Sequence, residues 1–276
     1  MNTANDTLKA PGTNGSSGRF PAGTTVLWKR ELLHFLRQRA RLIGFIGSPL
    51  IFWIVIGSGF NRSFSYPADQ PGISYLEFYF PGTVVLTMLF TAIFASISVI
   101  EDRHSGFLQG VLVAPVSRIS IATGKIMGAA TLAVVQAVLL MLLVPLLGMV
   151  MTPEGILASF ASLTVLGIGL AGLGFLIAWR MDTTQGFHAI MNLVLIPLWL
   201  LSGALFPIKG AAEWIGTIIL LNPIYYGMSA YRQALYLGSA HTPHEALPLA
   251  LNFLIISLFS LVMIVLSAIS VNSRRS

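Results

Sequence analysis

Residues 80–104 read FPGTVVLTMLFTAIFASISVIEDRH. From Phe80 to Ile100 no residue is charged, and then Glu101, Asp102, Arg103 and His104 arrive together. A helix needs about 20 mostly apolar residues to cross the hydrocarbon core of a bilayer. An apolar stretch of that length closed by clustered charges is expected to be a membrane span ending at the water boundary. Pro81 suits the first turn of such a helix.

The rest of the chain repeats this pattern. Of its 276 residues, 55% are hydrophobic and 9% charged, where a soluble domain carries about 25% charged residues. That excludes a soluble fold and predicts an all-α integral membrane protein. Six spans are expected, at about 42–60, 80–100, 121–150, 160–179, 187–206 and 247–271, forming one transmembrane domain over 42–272. The third is longer than a crossing needs, so it should tilt or kink, with Pro145 the candidate. Pro197 interrupts the fifth. A seventh apolar piece, Trp214–Leu221, is too short to cross, and Asn222-Pro223, Tyr225, Tyr226 and Tyr231 follow it. It fits a re-entrant segment with tyrosines at headgroup depth better than an outer loop helix. Residues 1–22, rich in Gly, Ser, Thr and Asn, read as a disordered tail without the apolar core of a signal peptide.

Lysine and arginine give the topology. With both termini inside, inner segments hold Lys9, Arg19, Lys29, Arg30, Arg37, Arg39, Arg41, Arg103, Arg118, Lys125, Arg180, Arg274 and Arg275. Outer segments keep only Arg62, Lys209 and Arg232. A multi-pass protein of the cell (inner) membrane with cytoplasmic termini follows. The net charge of +6 therefore points to anionic lipid rather than nucleic acid. The chain has no cysteine, so disulfides and thiol chemistry are excluded.

Two segments beside the spans carry the candidate chemistry. In residues 23–41, Trp28, Leu32, Phe35 and Leu36 share a helical face, with Lys29, Arg30, Arg37 and Arg41 largely elsewhere. This predicts an interfacial amphipathic helix. After the second span, Phe107, Leu108, Val111 and Leu112 form an apolar stripe at helical spacing before Pro115. A short helix of this kind suits either a partner's groove or a membrane surface.

Here the chain resembles a known family. Glu101 to Lys125, with Leu112-Val113-Ala114-Pro115-Val116-Ser117-Arg118 at its centre, resembles the signature of ABC type-2 exporter permeases. Leu201-Ser202-Gly203-Ala204-Leu205-Phe206-Pro207-Ile208 is similar to that family's Ser-Gly-hydrophobic-Phe-Pro element. Leu221-Asn222-Pro223-Ile224-Tyr225-Tyr226 with Arg232 is similar to its Leu-Asn-Pro element, and Tyr75 to Gly82 to its approach to the second span. One departure is visible: Ala212 and Glu213 stand where the family often has a proline before the tryptophan.

The resemblance spans about Trp28 to Val271. It implies a permease that pairs with a second copy and is driven by a dimer of cytosolic ATPase subunits. The docking surface it implies comprises Glu101, Asp102, Arg103, Gly106, Phe107, Leu108, Val111, Leu112, Pro115 and Arg118, with Trp28, Arg30, Glu31, Phe35 and Arg37 of the interfacial helix. It also implies an outer gate around Phe206, Pro207, Trp214, Asn222, Pro223, Tyr226 and Arg232. Substrates in such a family are amphiphilic.

No ATP site is expected in this chain. A phosphate-cradling loop needs Gly-x-x-x-x-Gly-Lys then Ser or Thr, whereas Gly124-Lys125 is followed by Ile126 and preceded by Ile119 at the first glycine position. ATP would be used by the partner subunit, with no cofactor or metal held here. His241, His244 and Glu245 read as a solvated loop, and Arg180 with Asp182 as a local pair. Gln136 and Asn192 are polar residues that could bond across helices, and Gly167, Gly169, Gly172 and Gly174 suit close helix packing. Two other functions compete with the exporter. A lipid-modifying membrane enzyme would work through Glu101, Asp102 and His104. A secondary carrier would need an intramembrane charge, and no span centre supplies one.

Overall fold

The computed structural model describes residues 19–60, 74–114, 116–208, 211–238 and 245–273. Among them every regular element is helical. The helices are α1 (Arg19–Leu36), α2 (Arg39–Phe60), α3 (Tyr75–Ala95), α4 (Ile97–His104), α5 (Phe107–Val113) and α6 (Arg118–Met141). They continue with α7 (Pro153–Arg180), α8 (Thr184–Trp199), α9 (Glu213–Leu221), α10 (Pro223–Leu235) and α11 (Leu249–Ser273). Arg62, Pro115, Lys209, His241, His244, Arg274, Arg275 and the tail up to residue 18 lie outside the described residues.

Among the described residues, five helical stretches are long and apolar enough to cross a membrane: Tyr75–His104, Arg118–Leu147, Pro153–Arg180, Thr184–Ala204 and Leu249–Ser273. The chain is thus a multi-pass membrane protein. The first expected span differs: within α2 the apolar part, Ile46–Phe60, is shorter than the others.

Side-chain caps account for several helix starts that hydropathy misplaces, because capping oxygens accept otherwise unpaired N–H groups of the first turn. Ser74 accepts from Glu77 N at 3.2 Å, so the second span starts at Tyr75 and Pro81 lies inside the helix. Thr152 accepts from Gly155 N at 3.1 Å, starting α7 at Pro153, ahead of the expected residue 160. Ser117, Thr183 and Asn222 cap α6, α8 and α10 in the same way. The N-terminal helix begins at Arg19, inside the segment read as tail.

The expected break near Pro145 is present: α6 ends at Met141 and a tight 3-10 turn covers Val144–Leu147. In the fifth span the break lies beyond Pro197. Helix α8 runs through that proline and gives way to a wide π turn at Leu200–Ala204, where Leu201 and Gly203 leave helical geometry. Gly203 takes φ 75°, a conformation open to glycine without a Cβ clash.

Stretch α3–α4 is the centre of the bundle, 94% buried across its apolar window, against 28% for α11 at the edge. Helix α7 packs on it through small residues: a Cβ on Gly174 would lie 2.8 Å from Ile93 Cα, so a larger residue would force the helices apart. Gly167, Gly169 and Gly172 likewise face Met88, Ser260 and Met263, as expected of close packing. Gln136 accepts a hydrogen bond from Thr91 across α6 and α3, whereas Asn192 is exposed. Large apolar side chains remain exposed on α2 (Ile51, Val55), α8 (Leu193, Ile196) and α11 (Leu254, Leu258, Leu261), as expected where lipid is the solvent.

Candidate functional site

Two polar clusters sit at opposite ends of α3–α4. From Glu77 to Asp102 the helix rises about 38 Å.

The first cluster joins α1, α4 and α6. Helix α1 lies lengthwise along the start of α6 and runs in the same direction, with Gly23 against Val116 and Ser120, Leu27 against Gly124, and Glu31 against Gly128. Contact is close enough that a Cβ on Gly128 would fall 2.6 Å from Glu31 Cβ. This approach brings Glu31 to Lys125. Lys125 Nζ donates to Glu31 Oε1 at 2.7 Å, to Asp102 Oδ2 at 2.6 Å and to Ser98 Oγ at 3.1 Å. Ser98 Oγ donates to Glu31 Oε2 at 2.6 Å. Arg30 grips Asp102 with both terminal nitrogens, at 2.8 and 2.5 Å.

The Lys125 side chain is 3% exposed and those of Glu31 and Asp102 are 7% exposed, while Arg30 keeps 32%. Two cations thus meet two anions almost out of water. Burial of a charge without partners costs several kcal/mol, a cost that these mutual contacts offset. Burial works against the charge on Arg30, but the hydrogen bond and attraction of Asp102, helped by Glu31, raise its pKa above the ordinary value.

The expected docking residues converge here only in part. Phe107 of α5 lies under Arg30, with the guanidinium 3.7 Å from its ring centre, a cation–π contact. Leu108 is buried and Val111 packs against the core. Val113 at the end of α5 is 87% exposed. Gly106, at φ 75°, makes the turn between α4 and α5. Arg103 points elsewhere: it donates to Trp179 O at 2.7 Å and Met181 O at 2.8 Å, covering carbonyls at the end of α7 that the helix leaves unpaired. His104 meets Asp182 O at 2.7 Å, and His34 approaches Glu101 at 3.4 Å. Arg118 reaches Val271 O at 3.4 Å. Leu112 belongs to α5, but its side chain is outside the described set, like Pro115.

On α1 the buried face differs from the one expected. Phe35 is buried and Trp28 and Leu32 partly so, with the Trp28 indole donating to Thr131 Oγ1 at 3.1 Å. Leu36 is 55% exposed, and the charged Glu31 with Leu27 completes the inward face. Arg37 is exposed. The pairing expected between Arg180 and Asp182 is replaced: Asp182 meets Arg103 at 3.4 Å. Lys125 and Ser98 were missed as site residues. The one available signal was a lysine flanked by Gly124 and Gly128 in an otherwise apolar helix.

The second cluster surrounds the break in the fifth span. Arg232 donates to Glu245 Oε1 at 2.8 Å and to Gly203 O at 2.9 Å, over the Phe78 ring at 4.6 Å. Both ion-pair side chains are 6% exposed, so Glu245 is a buried partner rather than part of a solvated loop. Tyr225 donates its hydroxyl to Glu245 at 3.2 Å. Asn222 Nδ2 donates to Leu198 O at 2.5 Å and Leu201 O at 2.8 Å, while its Oδ1 caps α10 through Ile224 N at 3.0 Å. Pro223 opens α10, a helix the sequence did not announce, and Tyr226 donates to Leu220 O. Phe206 and Pro207 follow the break half-buried, and Trp214 on α9 is 66% exposed. The residues expected at this end therefore gather around the break, except Trp214, which faces outward.

Comparison with known proteins gives this arrangement a family. Residues 23–236 match the model of the ABC-2 type transporter family. The protein ycf38 of Cyanophora paradoxa, described as a transport permease, is 31% identical over 209 residues, 75% of this chain and 72% of that protein. YbhR of Escherichia coli K12, described as a multidrug ABC transporter permease, is 28% identical over 173 residues, 62% of this chain but only 46% of its own length. DrrB1 of Streptomyces coeruleorubidus, described as a daunorubicin resistance ABC transporter permease, is 23% identical over 235 residues, 80% of each chain. With its helical bundle, its two polar clusters and a family match across most of its length, this chain belongs to the ABC-2 type transporter family.

Proposed function

We propose that this chain is the membrane subunit of an ATP-driven exporter, which moves an amphiphilic substrate and is powered by a dimer of separate cytosolic ATP-binding cassette subunits. Membership of a transport permease family supports a transport role rather than catalysis. The names of relatives linked to multidrug transport and daunorubicin resistance favour an amphiphilic cargo. In this reading the chain makes six crossings, with α2 as the first and both termini cytoplasmic. Segment α9–α10 re-enters the membrane from outside, and a second copy completes the path.

The single observation that carries the coupling mechanism is the four-charge cluster of Arg30, Glu31, Asp102 and Lys125 beside α5. The ATPase would dock on α5 and the exposed side of α1. Because Arg30 is bound both to the Phe107 ring and to Asp102, a displacement of α5 pulls on α1 and α4 together. Lys125 carries it into α6. Nucleotide binding would then favour one arrangement of the bundle by binding it more tightly.

Co-purification with the ATPase subunit tests this. The expected result is a stable complex whose ATP hydrolysis changes when the permease is present, and a complex lost on Val113→Asp. A permease that never associates with an ATPase, and never alters its turnover, would sink the proposal. Topology is tested separately with Ser105→Cys and Ala240→Cys: labelling from opposite sides of intact cells is expected, and labelling from the same side contradicts it.

A further inference from the structure

Away from both clusters, a groove of about 390 Å³ runs between α6 and α7. Its wall includes Met127, Thr131, Val135 and Leu139 of α6 with Phe160 and Thr164 of α7. It opens to the outside of the bundle, since Met127, Val135, Leu139 and Phe160 are 42 to 52% exposed. Both threonine hydroxyls are spent on their own helices, Thr131 on Met127 O and Thr164 on Phe160 O, each at 2.7 Å. The wall therefore offers its occupant almost only hydrocarbon.

We propose that this groove seats one acyl chain of an anionic phospholipid whose headgroup meets Lys29. Size argues for a chain rather than a protein helix. Met127 to Leu139 rises about 18 Å, slightly more than one leaflet of a hydrocarbon core about 30 Å thick. A groove of about 390 Å³ drawn out over that length is long and narrow, a shape that suits an extended hydrocarbon chain better than a helix about 10 Å across.

Charge argues for the headgroup. At one end of the groove the Trp28 indole is fixed by its bond to Thr131, and tryptophan favours headgroup depth. Lys29, the next residue, is exposed and has no ion-pair partner among the described residues. A lipid with its chain in the groove would carry its phosphate toward this stretch of α1, where Lys29 is an exposed cation. The assignment needs only that α6 and α7 cross the membrane, and does not depend on the ATPase.

The full-length protein is reconstituted in phosphatidylcholine nanodiscs with trace phosphatidylglycerol bearing a photoreactive group on one acyl chain, and labelled peptides are mapped. Labelling should concentrate on residues 127–139 and 160–168, above that on the exposed ridge of α11 at Leu254, Leu258 and Leu261. Val135→Trp, which fills the groove from its outer rim, should remove most of the groove label and leave the α11 label, which also reports correct insertion. Lys29→Glu should lower the phosphatidylglycerol label by about fivefold, the worth of one basic residue at an anionic surface, and leave a phosphatidylcholine probe unchanged. Equal labelling of groove and ridge, a groove indifferent to Val135→Trp, or a groove shielded from lipid and cross-linked to a second copy would each overturn the seat. An unchanged phosphatidylglycerol label in Lys29→Glu would overturn the headgroup contact.

Discussion

The two polar clusters solve different problems with similar residues. The Lys125 cluster binds three separate helices through four charges, with the Ser98 hydroxyl and the Phe107 ring beside them. The Arg232 cluster binds one loop carboxylate and a set of backbone carbonyls exposed by the break at Leu200–Ala204. In the first, every charge depends on another element for its compensation. In the second, neutral donors such as Asn222 and Tyr225 share the load. The charge network joins three separate helices, and the mixed hydrogen bonding closes a break within one.

The sharpest way to break this contrast is Lys125→Met, which leaves Glu31 and Asp102 with Arg30 as their only cation among the described residues. A loss of about 3–5 kcal/mol is expected, as for other broken buried pairs, read as a lowered Tm of the detergent-purified protein. Adding Glu31→Gln should recover part of it. Recovery is required if the cluster acts through charge balance, and an additive loss would show that packing alone is involved.

Arg232→Met should cost about as much, about 3–5 kcal/mol, because it leaves the buried Glu245 with the Tyr225 hydroxyl and no cation among the described residues. Adding Glu245→Gln should recover more of the loss than Glu31→Gln recovers in the first cluster, since here one carboxylate is left alone, and an equal recovery would erase the distinction between the clusters. Asn222→Ala removes a cap and two bonds to the break, an expected loss of about 1–2 kcal/mol. Asp182→Ala is the baseline: the side chain is 81% exposed, and exposed ion pairs contribute less than about 1 kcal/mol, so Tm should barely move.

Much of the bundle was legible because lipid solvent leaves a direct mark: long uncharged stretches have few other readings. The ends of helices were less so. Ser74 and Thr152 cap their helices, but hydropathy averages across such residues and places the start where greasy residues begin. Helix α10 escaped notice because Arg232 and Gln233 make it look like a loop until Glu245 and Leu247 O are seen to satisfy them. Partnerships were the least legible. Glu31 and Lys125 are 94 residues apart, and nothing in one sequence links them. Glu31 was expected on the docking surface, and Lys125 was counted only as an inner basic residue at the start of a span.

Consider finally the interrupted helix at Leu200–Ala204. Its freed carbonyls on Leu198, Leu201 and Gly203 are answered from a different stretch of chain, by Asn222 and Arg232. Bare carbonyls are not tolerated in hydrocarbon, so neither stretch can drift without the other. Residues 198–203 and 222–232 form one heritable unit. A chimera that exchanges either alone between related permeases should fail to assemble, while one that carries both across should fold.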